Sequence, residues 1–466
     1  MSKLCCNVAQ NQAHIFRRGL RTMGEIEIFT NELQRLVPSA IVRADTDALR
    51  THAIDGVFPR LVVSPTSVED VGQTVELASL NKLSVLPRGG GSGMNLGNIA
   101  EHIDILIDTT HLKRLLEHEG PDLTCHVEAG ITLAELQVQL ARQGQQLALD
   151  APNAQQATIG GLLATNASGP KRLRYGTARD LVIGMRVVQA NGELARSGGR
   201  VVKNVAGYDL NKLYIGSLGT LGMIVEANFK LHPLPPLERT LLLMYTNIDD
   251  AMQTILAILN SLLTPSALEL IDAGAASDMT DFFGLNLPAN GYTVAINFEG
   301  SKAAIERQLN ETRLLARRNN ALMGDDLDGD AQQRFWEVIR EHTQGTLTCK
   351  VALLPSQIAS YLRQLEETCQ RYTLESATIA HAGNGILYIE LRPSDATPRL
   401  ISALEELRKY ARELHGSLVV ERCPVELKRR ISIWGEPGGD FYLMQRLKQQ
   451  FDPQRTFVGG RFLGGL

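Results

Sequence analysis

Nowhere along these 466 residues do two cysteines stand three positions apart. The six that occur, Cys5, Cys6, Cys125, Cys349, Cys369 and Cys423, are scattered, so the chain alone can hold neither a zinc ribbon nor a ferredoxin-type cluster. Thiols dispersed in this way fit the reducing cytoplasm. No apolar run approaches the length of about 18 residues that a membrane span requires. Nor is there a block of Lys and Arg: the formal charge is −4, which argues against nucleic acid as the main partner. Internal repeats and low-complexity tracts are missing as well. The length predicts two or three domains, and 44% hydrophobic with 21% charged residues is an ordinary globular balance. Residues 1–23 carry Arg17, Arg18 and Arg21 with no acidic residue before Glu25, and Met23 offers an alternative start. Such a basic segment suits a targeting presequence; the simpler expectation is a flexible tail.

Glycine, by contrast, is concentrated in one place. Pro87-Arg88-Gly89-Gly90-Gly91-Ser92-Gly93 follows an apolar strand at 84–86 and puts four glycines into five positions. Residues without a Cβ let successive backbone N–H groups close around an anion, and they accept positive φ at little cost. A diphosphate at a strand end asks for such a turn; a bare surface loop is the alternative. A Rossmann fingerprint is disfavoured. That motif must open a helix at once, with an acidic residue about 20 positions on. Here Met94-Asn95-Leu96-Gly97-Asn98-Ile99 is a poor helical start, and the next element reads as a strand over 103–108.

Residues 25–236 alternate helical and strand patterns. A helix after Pro65 has Ser67 and Asp70 at capping-box spacing, with Val68, Val71, Val75 and Ala78 on its apolar face. A second opens at Thr132 with Glu135 three residues on and turns Leu133, Leu136 and Leu140 inward. Residues 181–194 read as two strands joined at Asn191-Gly192. Cys125 and His126 read as core residues of a strand. Residues 231–236, with three prolines, interrupt the pattern and mark the best boundary. Beyond it, strands over 240–244 and 292–298 and helices over 252–263 and 302–318 predict an α+β unit. A polar helix over 400–415 and a strand over 417–421 follow.

Several blocks in a fixed order resemble one family. They are Arg60-Leu61-Val62-Val63-Ser64-Pro65, the glycine loop, Val127-Glu128-Ala129-Gly130, Thr158-Ile159-Gly160-Gly161, Asn166-Ala167-Ser168-Gly169, Arg174-Tyr175-Gly176 and Gly219-Thr220-Leu221-Gly222-Met223-Ile224. The chain resembles the FAD-binding oxidoreductases typified by vanillyl-alcohol oxidase and p-cresol methylhydroxylase (PCMH), in their 2-hydroxy-acid branch. The fold this implies is α+β, a PCMH-type FAD-binding domain of two subdomains plus an α+β cap of the FAD-linked oxidase C-terminal type. The expected division is a tail at 1–23, the FAD domain at 24–236, the cap at 237–425 and a return to the FAD domain at 426–466. By the same resemblance the cofactor is FAD, contacted by Pro87, Arg88, Gly89, Gly90, Gly91, Ser92, Gly93, Pro152, Thr158, Ile159, Gly160, Gly161, Asn166, Gly169, Arg174, Tyr175, Gly176 and Ile224. The C-terminal H-W-G-K signature of sugar-lactone oxidases is missing.

Oxidising a 2-hydroxy acid needs a cation for the carboxylate, a base for the hydroxyl proton and a flavin to take the hydride. Catalytic members of the branch carry H-x-G-D-G-N-x-H and a later E-H-G, which hold a divalent metal and supply the base. Here the blocks read His381-Ala382-Gly383-Asn384-Gly385-Ile386-Leu387-Tyr388 and Glu421-Arg422-Cys423. Tyr388 stands in place of a metal histidine and Arg422 in place of the catalytic one. One His and one Glu make a weak site beside a guanidinium, and Arg is no base near neutral pH. No metal is therefore expected. Lys350, Tyr388 and Arg422 remain candidates for an anion pocket, with solvated or ion-paired cap residues as the plainer alternative.

Further blocks, Lys203-Asn204-Val205-Ala206-Gly207-Tyr208-Asp209, Val420-Glu421-Arg422, Ile433-Trp434-Gly435 and Phe451-Asp452-Pro453-Gln454-Arg455-Thr456-Phe457, most resemble flavin subunits of bacterial glycolate-oxidising complexes. Gly459 departs from them by replacing a usual proline. Such subunits assemble with a second flavoprotein bearing the complete metal motif and with an iron–sulfur subunit, in the cytoplasm or membrane-associated through those partners. Two other functions stay open: a self-sufficient dehydrogenase of a small 2-hydroxy acid such as D-lactate, and a flavin-fold scaffold without turnover. The glycine loop contains neither His nor Cys, so FAD is expected to dissociate. Acid precipitation of the purified chain should leave its yellow flavin in the supernatant; colour kept by the washed pellet would show a covalent link.

Overall fold

The computed structural model describes residues 23–199, 208–283, 291–342, 345–393 and 397–466. The basic segment before Met23, with Cys5 and Cys6, lies outside them, as do residues 203–207 of the block quoted above.

A four-stranded sheet runs in the order Ile41–Arg43, Pro59–Ser64, Ile103–Asp108, Val85–Arg88. Ile103–Asp108 pairs in parallel with both of its neighbours and is buried at every residue, as a parallel strand covered on both faces must be. The crossover helix Val68–Leu80 begins on the expected capping box. Ser67 Oγ accepts from Asp70 N at 3.1 Å, and Asp70 Oδ2 accepts from Ser67 N at 3.1 Å. Val68, Val71, Val75 and Ala78 are buried beneath it. The strand at the glycine loop runs to Arg88 despite Pro87, since an edge position tolerates a missing N–H.

An antiparallel sheet of five strands follows, ordered Leu115–Glu119, Thr124–Glu128, Met223–Lys230, Val182–Val188, Leu194–Gly198. The hairpin between its last two strands turns at Gly192, with φ 85°. Cys125 is buried there, and His126 Nε2 lies 2.7 Å from Glu226. The Pro-rich stretch after it is less irregular than its composition suggests. His232–Pro233 pairs with Gln145–Gln146 before the chain enters the third sheet.

That sheet has eight strands, all pairs antiparallel, ordered Leu322–Leu327, Glu238–Tyr245, Tyr292–Glu299, Ala267–Ile271, Leu374–His381, Ile386–Pro393, Thr348–Ala352, Ser417–Arg422. Period-two alternation divides its side chains. Leu241, Leu268, Leu270, Cys349, Val351, Leu387, Ile389 and Val420 pack under helices Ile248–Leu259, Lys302–Arg318, Ile358–Tyr372 and Thr397–Glu413. Leu242, Ala267, Ile271, Ala377 and Ile379 face the other way, against helices Ala273–Phe283 and Gly329–Glu341. Helix Ile248–Leu259 starts earlier than its apolar run predicts, because Asn247 Oδ1 caps it by accepting from Asp250 N at 2.9 Å.

The C-terminal segment returns to the first sheet. Val85 N donates to Thr456 O at 2.7 Å and Val458 N to Val85 O at 3.0 Å, beside the strand that feeds the glycine loop. Asp452 makes the turn, accepting from Thr456 N, Phe457 N and Lys448 Nζ at 2.7, 2.9 and 2.7 Å. A second tie is Lys428, whose Nζ lies 2.8 Å from Asp55 with side chains 1% and 4% exposed. Removing one partner of a buried pair strands the other charge. Lys428→Met should therefore cost about 3–5 kcal/mol, read as a lower denaturant midpoint; a midpoint equal to wild type would show that Asp55 needs no cation.

Candidate active site

The glycine loop is shaped by what it touches. A Cβ at Gly89 would lie 2.0 Å from Thr158 Oγ1, and one at Gly90 1.7 Å from Gln156 O. Gln156 Nε2 in turn donates to Gly90 O at 2.8 Å. Gly91 has φ 87°, a left-handed conformation that glycine adopts freely. Thr158 caps helix Ile159–Thr165, accepting from Gly161 N at 3.3 Å, and Gly160 sits where a Cβ would meet Ala129. Pro87, Arg88, Gly89, Gly90, Gly91, Ser92, Gly93, Thr158, Gly160, Gly161 and Ile224 line one cleft. That lining includes two arginines. Arg88 is paired with Asp108 at 3.2 Å; the other is Arg461.

A second cleft shares Ser92, Gly93, Gly161 and Thr165 with the first and is lined further by Pro152 and Gly169. Its far wall is the large sheet. With Cys349, Val351, Leu387, Ile389 and Val420 committed to the helical core, alternation turns Lys350, Tyr388 and Glu421 to the opposite face. The same rule places Glu269 and His381 there, directly opposite each other in register. Lys350, His381, Tyr388, Glu421, Arg422 and Arg340 all line this cleft.

Its electrostatics are specific. His381 Nδ1 lies 2.7 Å from Glu269 Oε2, and Glu269 is fully buried with Oε1 unpartnered. Burial raises the pKa of Glu269, and His381 only partly offsets it. A carboxylate at this place accepts from Nδ1–H and leaves Nε2 for the cleft. Lys350 Nζ lies 3.2 Å from Glu421 and 5.5 Å from the centre of the Tyr388 ring. Burial alone would lower its pKa, but Glu421 and Tyr388 hold it above the ordinary lysine value. Tyr388 is raised by burial, against the pull of Lys350.

A divalent metal does not fit this set. The ammonium of Lys350 already engages Glu421, and Tyr388 packs its ring 5.2 Å from that of His381. Among the described residues one other group could bring three ligands together, Asp278, His342 and Glu390. Arg392 hydrogen-bonds both of its carboxylates, so a guanidinium already occupies the side a cation would take.

Five expected cofactor contacts line neither cleft. Ile159 is buried in the hydrophobic core. Asn166, at φ 51°, caps the end of helix Ile159–Thr165. Gly176 (φ 81°) packs against Asp180. Tyr175 Oη donates to Glu299, and Arg174 Nη1 donates to Glu299 O at 3.3 Å. Lys171 joins them, 2.7 Å from Glu299 and 3.1 Å from Glu238. This block thus fastens the large sheet to the glycine-loop unit. Sequence reasoning had also passed over Glu269, Arg340 and Arg461. Glu269 did leave a signal, one carboxylate inside the apolar run Ala267-Leu268-Glu269-Leu270-Ile271. Arg461 left none, because only the C-terminal return brings it to the cleft.

Residues 59–198 match the FAD binding domain family and residues 234–460 the C-terminal domain of FAD linked oxidases. The glycolate oxidase subunit GlcD of Bacillus subtilis is 28% identical over 420 residues, covering 87% of this chain and 89% of that protein. The D-lactate dehydrogenase of Anaerostipes hadrus is 30% identical over 424 residues, with coverage of 86% and 89%. Among solved structures, p-cresol methylhydroxylase with substrate bound superposes with a TM-score of 0.73 at 17% identity, covering 94% of this chain and 96% of that one. Alkyldihydroxyacetonephosphate synthase gives 0.71 at 20% identity, covering 94% and 84%. At those identities the likeness is one of fold. With both family domains in order along the chain, and a glycine-built cleft opening onto a charged one, the chain belongs to the FAD-linked oxidases and is an FAD-dependent oxidoreductase.

Proposed function

We propose that this chain binds FAD without a covalent link and oxidises a small 2-hydroxy acid, glycolate first among them, to the 2-oxo acid. It does so as one subunit of a complex that includes a second flavoprotein and an iron–sulfur subunit. One observation carries the reading: the inner cleft sets Lys350, Arg340 and Arg422 against a single lining carboxylate, Glu421, and adds a histidine held by a buried glutamate. That charge pattern suits an anionic substrate with a proton to lose. The names of the relatives, a glycolate oxidase subunit and a D-lactate dehydrogenase, agree with it.

The glycine-built cleft fits the cofactor on its own terms, since any Cβ at Gly89 or Gly90 would collide with residues 156–158 and push the loop out of place. In this reading residues 89–93 turn their amides to the diphosphate, Thr158, Gly160 and Gly161 let the main chain approach, and Ile224 gives apolar contact to the adenine. Pro152 and Gly169 line the inner cleft, beside the residues the two clefts share. Bound FAD supplies the acceptor for the hydride. The chain supplies the rest. Lys350 and Arg422 hold the substrate carboxylate, Tyr388 walls the pocket, and Nε2 of His381 takes the hydroxyl proton while Glu269 balances the imidazolium. Electrons leaving through iron–sulfur centres need another polypeptide, because the scattered cysteines cannot hold one. Among the described residues no helix is long and apolar enough to cross a membrane. We place the complex in the cytoplasm, at a membrane only through its partners.

Glycolate added anaerobically to the purified flavin-loaded chain should bleach its visible absorbance. An unchanged spectrum until partner subunits are added would place the chemistry outside this chain. Glu269→Gln keeps shape but loses the charge that steadies His381. Flavin reduction should slow about a hundredfold, the lower range of a general base's contribution, with FAD retained. Reduction at the wild-type rate in stopped flow would exclude His381 as the proton acceptor.

A further inference from the structure

Arg461 is 5% exposed, yet it forms no salt bridge among the described residues. Its Nη2 donates to two carbonyls, Met94 O at 2.6 Å and Leu96 O at 2.7 Å, and its Nε is buried without any partner. The acidic group that acts on it, Asp55, is already bound by Lys428 at 2.8 Å. Burial brings its pKa down to about 10, so it is still charged at neutral pH. A buried cation with neither counter-ion nor full hydrogen bonding is strongly disfavoured, and native structures retain one where something else balances it. Arg461 lines the cleft built by Gly89–Gly93. Arg88, the other arginine in that lining, is neutralised by Asp108.

We infer that Arg461 is the counter-ion of the cofactor's diphosphate, reaching from the C-terminal segment to meet the anion that the glycine loop holds from the other side. This rests on FAD occupying the cleft, as proposed above. It gives the C-terminal return a role in binding. Residues 456–458 set the strand that feeds the loop, and Arg461 ties down Met94 and Leu96 beyond it while its positive charge would balance the diphosphate. Charge-assisted hydrogen bonds from a preformed fork to phosphate oxygens are the strong kind, and guanidinium suits them.

The test compares two probes, FAD and riboflavin, which share the ring while only FAD carries the diphosphate. Each is titrated into chain stripped of flavin. Arg461→Met should weaken FAD ten- to hundredfold and leave riboflavin within twofold of wild type. Arg461→Lys, which keeps a charge but not the fork, should fall between wild type and Arg461→Met for FAD alone. Equal losses for both probes would mean that Arg461 merely props the loop at Met94 and Leu96, and unchanged constants would mean that it does neither; either result overturns the inference. Should Arg461→Met fail to fold, Arg461→Lys decides alone, by whether its loss is confined to FAD. A wild-type chain that takes up no FAD would instead refute the functional reading itself.

Discussion

The structure turns on a close approach of main chain to main chain. Residues 89–93 press so tightly on residues 156–161 that two successive positions have no room even for a methyl group. That contact fixes where the four-stranded sheet ends and where helix Ile159–Thr165 begins, and the rest of the chain is arranged to maintain it. The strand before the loop is held on one side by Ile103–Asp108 and on the other by residues 456–458. Asp452 and Lys448, both buried, keep that second edge in register from the far end of the sequence.

The second cleft follows from a different constraint, the two-residue period of a strand. Because one face of the large sheet is filled by Leu, Ile, Val and Cys under four helices, every polar residue at the intervening positions must emerge on the other face. Two helices cover only part of that face, and the uncovered part meets the glycine-loop unit. Lys350, Tyr388, His381, Glu269 and Glu421 come from five different strands, yet register alone makes them neighbours. The clamp of Lys171, Arg174 and Tyr175 on Glu238 and Glu299 holds the two units across the gap.

Features with a local cause could be read from the chain. The Ser67–Asp70 and Thr132–Glu135 boxes, the Asn191-Gly192 hairpin and the glycine loop each owe their shape to residues within a few positions. The start of helix Ile248–Leu259 is set by the Asn247 cap and precedes the apolar run that marks the helix in the sequence. Arg174 and Tyr175 illustrate a harder limit. A resemblance can show that a residue recurs but not whether it meets a cofactor or a carboxylate of the neighbouring sheet, since both uses favour the same donors. Arg461 lies further still from local inference, for its environment is assembled by residues more than 360 positions away.

Charge pairing gives the site its coherence. Of the three Lys and Arg residues that are buried among the described residues, Lys428 has Asp55, Lys448 has Asp452, and Arg461 has no carboxylate there. Pairing elsewhere shows that this fold can supply a counter-ion where one is needed, so a missing one at the cleft wall is informative. In the inner cleft the pattern inverts, with a carboxylate enclosed behind His381 and cations at the surface of the pocket. Negative charge is outnumbered in both clefts: Arg461 has no carboxylate in the first, and Lys350, Arg340 and Arg422 line the second with one, Glu421. In the reading proposed here the cofactor's diphosphate supplies it in the first, and the carboxylate of a hydroxy acid supplies it in the second. The seam they share, at Ser92, Gly93, Gly161 and Thr165, is then where the ring of the one meets the reacting carbon of the other.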